Sequence, residues 1–177
     1  MRLPKMGLIG LAALVALAMP PRILAASDAD ICEKQSGDVA IAACSRAIAT
    51  GRYHGRDLAI LYDNRGVEYV KKRDLDRAFA DYNEALRIDS KFPSAYNNRG
   101  DAWRTRGDLE KALTDLNRAI ELDPRHANAY YNRGLVWEAR HELQRALADF
   151  KRFTELAPSD PDGPQAVARV TGELSRK

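Results

Sequence analysis

The chain has 177 residues, of which 45% are apolar and 30% are charged, a composition typical of a soluble globular protein rather than a disordered one. The formal net charge is +3, but residues 1–26 hold three bases (Arg2, Lys5 and Arg22) and no acid, so the rest of the chain is neutral. A neutral body has no long-range field for a polyanion, which argues against nucleic acid as the main partner. The body of about 150 residues is long enough for one domain with its own core.

The first 26 residues have the order of a secretory signal peptide. Two bases precede an apolar run over residues 6–19, Pro20 interrupts the run, and the small residues Ala25 and Ala26 follow. This order predicts export to the periplasm or the medium, cleavage near Ala26 and no membrane insertion of the mature chain. An uncleaved anchor is the alternative, although the run is short for a hydrocarbon core of roughly 30 Å.

Cys32 and Cys44 are the two cysteines of the chain, and both follow the predicted cleavage site. In an exported protein such a pair most simply forms one disulfide, which would close a short loop and stabilise the fold by roughly 3 kcal/mol. Two free buried thiols are the alternative. No metal site is predicted, because His54, His126 and His141 have no metal-ligand spacing to either cysteine.

A step of 34 residues organises the rest of the chain. The triplet Asn-Arg-Gly occurs at residues 64–66, 98–100 and 132–134. Aromatic and small residues recur around the triplets at the same step, which predicts an array of similar units. These recurring residues are Tyr62, Tyr96 and Tyr130; Tyr69, Trp103 and Trp137; Ala78, Ala112 and Ala146; and Tyr82, Leu116 and Phe150.

Each unit predicts a pair of helices. In the middle unit, residues 96–103 and residues 112–120 both carry small and apolar residues at the spacing of one helix face. Gly107 predicts the end of the first helix, and Asp108 predicts the N-cap of the second. No stretch alternates apolar and polar residues over a useful length, so no strand is predicted.

A helix pair of this length and residue pattern resembles the tetratricopeptide repeat of exported bacterial proteins. The resemblance covers residues 59–158 as three units, 59–92, 93–126 and 127–158. It implies an all-α fold, a right-handed superhelical stack of antiparallel helix pairs. Arg73 and His141 stand where the family usually has glycine between the helices. Those turns are therefore expected to differ from the middle one or to be strained by about 1 kcal/mol.

A cap is predicted at each end of the array. Residues 40–48 match residues 78–86 at an offset of 38, which places about four extra residues in segment 51–55. We interpret residues 27–58 as a degenerate helical hairpin, fastened by the predicted disulfide. Residues 159–177 predict a C-terminal cap helix, because Val167, Val170 and Leu174 have helical spacing. Phe153 replaces the alanine of the other units and is expected to face this cap.

The chain carries no sequence motif of an enzyme. A glycine-rich phosphate loop, a paired-histidine metal motif and a G-x-S-x-G nucleophile elbow are all missing from the sequence. The acids recur with the units or precede helices, as solvated side chains do. We therefore predict no catalytic activity, no cofactor and no metal.

The resemblance implies that the first helices of successive units line a concave groove for a peptide or helix of a partner protein. The family's version that clamps a chain-terminal carboxylate needs Lys and Arg at several groove positions, where this chain has Asp, Asn and Tyr. Asn64, Asn98 and Asn132 instead resemble an asparagine ladder, whose amides could bind a peptide backbone; local hydrogen bonding is the alternative. The predicted groove residues are Asp63, Asn64, Val67, Asn97, Asn98, Asp101, Arg104, Asn128, Tyr131, Asn132, Leu135 and Glu138.

An arginine recurs in the first helix of each unit, where the family usually has an apolar residue. An aspartate follows each arginine at a constant spacing. A guanidinium on an apolar stripe is costly unless it is paired, so we predict a ladder of partly buried ion pairs, within one unit or between neighbours. The alternative is that both side chains reach solvent. The predicted pairs combine Arg65, Arg99 and Arg133 with Asp81, Asp115 and Asp149.

The sequence as a whole predicts an exported, all-helical adaptor that binds another envelope or periplasmic protein. The alternative function is that of a structural subunit, whose repeats serve self-association or permanent docking in an envelope assembly. An adaptor would expose apolar surface in the groove, and a subunit would expose it on the convex face or at one end.

Overall fold

The computed structural model describes residues 26–176, which form nine α-helices joined by short turns. No helix in this range is long and apolar enough to span a membrane. The predicted signal peptide lies outside the described residues, apart from Ala26. The helices are α1 (Asp28–Lys34), α2 (Gly37–Ala49), α3 (Gly55–Lys71), α4 (Leu75–Ile88), α5 (Pro93–Arg106), α6 (Leu109–Leu122), α7 (Ala127–Ala139), α8 (Leu143–Leu156) and α9 (Asp162–Leu174).

Consecutive helices pack in pairs, and the pairs stack in chain order. The main pairs are α3 with α4, α5 with α6, and α7 with α8, and the short turns make the partners antiparallel. Each pair contacts the next, and the first helices of neighbouring pairs also touch, α3 with α5 and α5 with α7. The all-α stack of helix pairs predicted from the 34-residue step is confirmed.

A glycine in the first helix lets the two helices of each pair approach closely. A Cβ atom on any of these glycines would come closer than 3.0 Å to the second helix, a distance that real Cβ atoms do not tolerate. In each pair a large side chain of the second helix packs in the space beside the glycine and is at most 1% exposed. The distances would be 2.7 Å from Gly66 to Tyr82, 2.8 Å from Gly100 to Leu116 and 2.6 Å from Gly134 to Phe150.

The turn inside each pair places one residue in the left-handed region. The φ angle is 91° at Gly107, 61° at Arg73 and 58° at His141. The three turns therefore share one conformation. Arg73 and His141 adopt it with some strain, and their turns do not change shape to avoid it. Glycine adopts this conformation freely, whereas a side chain is crowded there.

The N-terminal hairpin consists of α1 and α2. The Sγ atoms of Cys32 and Cys44 are 2.08 Å apart, at disulfide distance. Around them the core is made of small residues such as Ala43 and Ala47, together with Leu61 from α3. Because alanines bury little apolar area, the covalent link supplies stability that this core does not.

The hairpin docks on α3 through a buried acid. Glu68 is 5% exposed, and its carboxylate accepts hydrogen bonds from the Gly37 backbone N–H at 2.7 Å and from Lys71 Nζ at 2.5 Å. Gly37 is the first residue of α2, so the carboxylate also lies at the positive end of that helix.

The four extra residues of the first unit form a helical turn. They were expected in segment 51–55, but α3 begins at Gly55, one turn before the position at which α5 begins in the next unit. The added turn is held by Arg56, whose guanidinium bonds Asp89 and lies 3.9 Å above the Phe92 ring. Tertiary contacts with the α4–α5 loop thus stabilise residues that the repeat alone would leave outside the helix.

The C-terminal helix α9 covers the last pair. Ala166 and Val170 are fully buried in its contact with α8. A Cβ atom on Gly163 would lie 3.1 Å from the Phe153 ring, so the start of α9 packs directly on this ring. Phe153 also lies beside Tyr131, with ring centroids 4.9 Å apart, and it faces α9 as expected.

Candidate functional site: the groove of the first helices

The predicted groove residues lie on α3, α5 and α7, the three first helices, which are neighbours in the stack. Most of these side chains are half-buried, Asn128 is exposed, and Asp63 and Asn97 are each 5% exposed. The residues thus form one surface that crosses three helix pairs, with its most buried polar groups at the joints between first helices.

A network of amides and one carboxylate joins the three helices. The Asn98 amide donates to both carboxylate oxygens of Asp63, at 3.1 and 3.0 Å. The Asn132 amide donates to Asn97 Oδ1 at 3.0 Å, and the Asn97 amide donates to Asn98 Oδ1 at 3.1 Å. The two contacts between helices join residues 35 positions apart, so one contact recurs at successive joints.

The three asparagines of the predicted ladder are not equivalent. Asn98 and Asn132 use their amide N–H groups to bind the preceding first helix. Asn64 makes no side-chain hydrogen bond to any residue of the range 26–176. The network instead includes Asp63 and Asn97, and their spacing of 35 from Asn98 and Asn132 is the sequence signal for this role.

Burial destabilises the charged form of the Asp63 carboxylate. Burial raises its pKa to about 6, although the hydrogen bond from Asn98 and the charge of Arg56 act in the opposite direction. Arg56 does not bond to it, because its guanidinium is held by Asp89. At neutral pH the groove therefore contains a buried negative charge with an amide as its bonded partner.

The other groove carboxylates have bases beside them. Arg104 Nε donates to Asp101 at 2.9 Å within α5. Arg169 of α9 binds Glu138 of α7 through two hydrogen bonds of 2.8 Å. The unneutralised negative charge of the groove is consequently concentrated toward α3.

The recurring arginines lie between the helix layers and bind the aspartate of their own unit. Each guanidinium makes two hydrogen bonds of 2.7–2.8 Å to the carboxylate, and the aspartates are 4–6% exposed. A third donor reaches the second helix of the preceding pair, so one side chain ties three helices together. The pairs are Arg65 with Asp81, Arg99 with Asp115 and Arg133 with Asp149, and the third acceptors are Ser45, Asn83 and Asn117.

Ser45 identifies α2 as the counterpart of a second helix. It lies 38 residues before Asn83, which is the offset at which residues 40–48 match residues 78–86. Its hydroxyl accepts from Arg65 NH1 at 2.9 Å, as Asn83 Oδ1 accepts from Arg99 at 2.7 Å. The hairpin thus continues the contacts of the array.

Over residues 26–176, no group of His, Cys, Asp and Glu is placed to hold a metal ion.

Comparison with known proteins identifies the repeat. A family model described as TPR repeat matches residues 66–103 and 100–140. No curated protein sequence matches the chain.

Solved structures with the same helix arrangement include the first TPR of Spaghetti (RPAP3) bound to the HSP90 peptide SRMEEVD, with a TM-score of 0.65, 25% identity and coverage of 71% of this chain and 99% of that chain. The first TPR domain of human RPAP3 has a TM-score of 0.66 and 25% identity, over 69% of this chain and 96% of that one. The second TPR domain of human RPAP3, in complex with the HSP70 peptide SGPTIEEVD, has a TM-score of 0.59 and 25% identity, over 64% and 94%. Residues 66–140 therefore carry tetratricopeptide repeats, and the described helices have the fold of TPR domains.

Proposed function

We propose that this chain is an exported adaptor that holds a segment of a partner protein in the groove of α3, α5 and α7. The observation that carries the proposal is the continuous surface of half-buried side chains that three adjacent first helices present. The similar RPAP3 domains are solved with HSP90 and HSP70 peptides, which supports a protein segment as the ligand. Those peptides are acidic, whereas this groove has an unneutralised carboxylate at Asp63, so the partner differs in charge.

Export is proposed from the leader and supported by the cysteines. The leader has the order of a signal peptide, and a disulfide such as Cys32–Cys44 persists in oxidising compartments outside the cytoplasm. Mass spectrometry of the protein recovered from its host tests this part: we expect a mature chain that begins near Ser27, and a chain that retains Met1 contradicts it.

Photocrosslinking in the native host tests the groove. A photoreactive residue at Asn128, which is exposed on α7, should form a covalent adduct with the partner. The matched control is the same residue at Thr114, which is exposed on α6 and whose hydroxyl bonds only its own helix at Glu110. Adducts from both positions, or from neither, contradict a partner held in the groove.

A second candidate, a structural subunit, is favoured by an apolar depression at the C-terminal end. A cavity of about 470 Å³ lies between α8 and α9; its apolar lining is Pro164, Val167 and Ala168 of α9, and Lys151, Thr154 and Glu155 line it from α8. A subunit that associates through its end should dissociate when Val167 is replaced by Asp, because a charge in an apolar contact is costly. Light scattering after size exclusion decides: a wild-type monomer at micromolar concentration excludes self-association as the role.

A further inference from the structure

A cavity of about 230 Å³ lies between α1 and α3, at the end of the groove next to the hairpin. Its apolar surface comes from Ala29 on α1 and from Ile60 and Leu61 on α3. Asn64, the first asparagine of the predicted ladder, also lines it, so the cavity opens onto the groove surface. Pockets that enclose a whole small molecule measure roughly 300–1,000 Å³, so this volume suits a single side chain.

The cavity exists because one recurring contact is missing. At the other two joints an asparagine bonds the side chain 35 residues before it. At the α1–α3 joint the four extra residues change this offset, and α1 places Ala29 in the cavity lined by Asn64; its methyl group accepts no hydrogen bond. The amide that closes the other joints is therefore left facing an open space at this one.

Carboxylates surround the opening, and no base lines it. Asp30, Glu33 and Asp57 belong to the lining. Glu33 and Asp57 form no ion pair with any residue in the range 26–176. Asp30 pairs with the exposed Lys34 at 3.6 Å and accepts hydrogen bonds from Ser27 at the start of α1. The nearby Arg46 and Arg56 are bonded elsewhere, to Asp28 and Asp89. The buried carboxylate of Asp63, one residue before Asn64, adds to the negative potential.

We propose that this cavity binds a lysine or arginine side chain of the partner segment that lies in the groove. Such a side chain has the two parts that the cavity requires, because its methylene stem packs on apolar surface while its charged head stays near water. Asp57 and Glu33 bind the head, and the ring of Tyr53, which also lines the cavity, offers a π face to a cation. The proposal names the partner's chemistry and rests on the proposed function of the groove.

Three capped nine-residue peptides test the chemistry. They share an uncharged sequence and carry lysine, norleucine or glutamate at the centre. Comparing their affinities separates the contribution of the charged head from that of the methylene stem. Titrated into the isotope-labelled full chain, the lysine peptide should shift the NMR signals of the Ile60 methyl and the Asn64 side-chain amide. We expect it to bind about fivefold more tightly than the norleucine peptide, because ion pairs with exposed carboxylates are weak.

A double variant and its matched control locate the site. Asp57→Asn with Glu33→Gln should reduce the lysine preference to about onefold and leave norleucine binding unchanged. Asp76→Asn with Glu121→Gln makes the same change in net charge at exposed acids on α4 and α6, and should keep the preference. Equal effects of the two variants, an absence of lysine preference, or contacts from residues 1–25 of the same chain to Ile60 would each overturn the proposal.

The crosslinking and peptide experiments together distinguish a failure of the cation site from a failure of the proposed adaptor function. A partner crosslinked from Asn128, together with peptides that show no lysine preference, would remove the cation site and leave the adaptor. Lysine-specific shifts without any crosslinked partner would leave the cavity chemistry and remove the adaptor.

Discussion

Asp63 and Asn97 occupy the same position in successive repeats, so the chain contains a charged and a neutral form of one joint. Both accept a hydrogen bond from an asparagine 35 residues later. The neutral pair leaves no charge buried, whereas Asp63 must be desolvated at neutral pH. For stability alone asparagine would be favoured at both positions, so the charge of Asp63 destabilises the fold at neutral pH.

Replacing Asp63 by Asn should stabilise the protein at neutral pH. Because burial raises the pKa of Asp63 to about 6, above its ordinary value of 3.8, the folded state holds the proton more tightly. This tighter proton binding contributes to the free energy of unfolding in full below about pH 4. The contribution, up to about 3 kcal/mol, is lost as pH rises through 6. Urea melts at pH 4.5 and 7.5 should show this loss in the wild type and not in Asp63→Asn. Asp101→Asn, at a carboxylate paired with Arg104, should keep it.

His141→Gly should raise the free energy of unfolding by about 1 kcal/mol, because glycine adopts the left-handed conformation of this exposed turn without crowding. Thermal unfolding measures the effect. The reciprocal variant Gly107→Ala, in the equivalent turn, should lower stability by a similar amount, and a Cβ there would meet no atom within 4 Å. If both variants unfold like the wild type, the turn strain is negligible.

At the scale of helices, each recurring arginine joins two layers of the stack. Arg99 on α5 binds Asp115 on α6 and Asn83 on α4, and the aspartate is 4% exposed. This geometry explains why a charged residue can stand on an otherwise apolar stripe: its hydrogen bonds are made inside the array.

Asp115→Ala should therefore destabilise the protein by roughly 3 kcal/mol, because it leaves the Arg99 guanidinium partly buried and uncompensated. Urea denaturation gives the value. The matched control is Glu121→Ala on the same helix, which removes an exposed pair with Arg118 and should cost less than about 1 kcal/mol. A loss of similar size in both variants would show that the buried pair contributes no more than a surface one.

The hairpin should be the least stable element once its cysteines are reduced. With a core largely of alanine, α1 and α2 lose roughly 3 kcal/mol of loop-closure stabilisation on reduction. Hydrogen exchange should then speed up at Gly37 and at Cys32, while the amides of α5 to α8 stay protected. Loss of protection across the whole chain would show instead that the hairpin and the repeats unfold as one unit.

The helix pairs could be predicted from sequence because Gly66, Gly100 and Gly134 repeat with their packing partners at one step. The added turn of α3 could not, because Arg56 is held by residues more than thirty positions away, in the α4–α5 loop. The cavity beside Asn64 could not be predicted either. It depends on Ala29 standing opposite Asn64, which only the stacking of α1 on α3 reveals.

At the scale of the molecule, the joints between the three repeats use contacts between neighbours at fixed offsets. Asn132 bonds Asn97, and Arg133 reaches Asn117, in the way that Asn98 and Arg99 bond the preceding pair. The buried charge of Asp63 and the cavity beside Asn64 both lie in the half of the molecule nearest the hairpin. The C-terminal half has paired groove carboxylates and a covering helix.

This regularity makes the protein extendable by duplication. A copy of residues 93–126 inserted after His126 would find the acceptors that it needs. The copy of Asn98 would face Asn97, and the copy of Arg99 would face Asn117. The original third repeat would then bond the copy in the same way. We expect the longer chain to gain helical circular dichroism in proportion to the added unit and to melt no lower than the wild type, and a lower melting temperature would contradict this. Groove length is thus a variable that gene duplication can change without inventing a new contact, while the cation-binding end stays as it is.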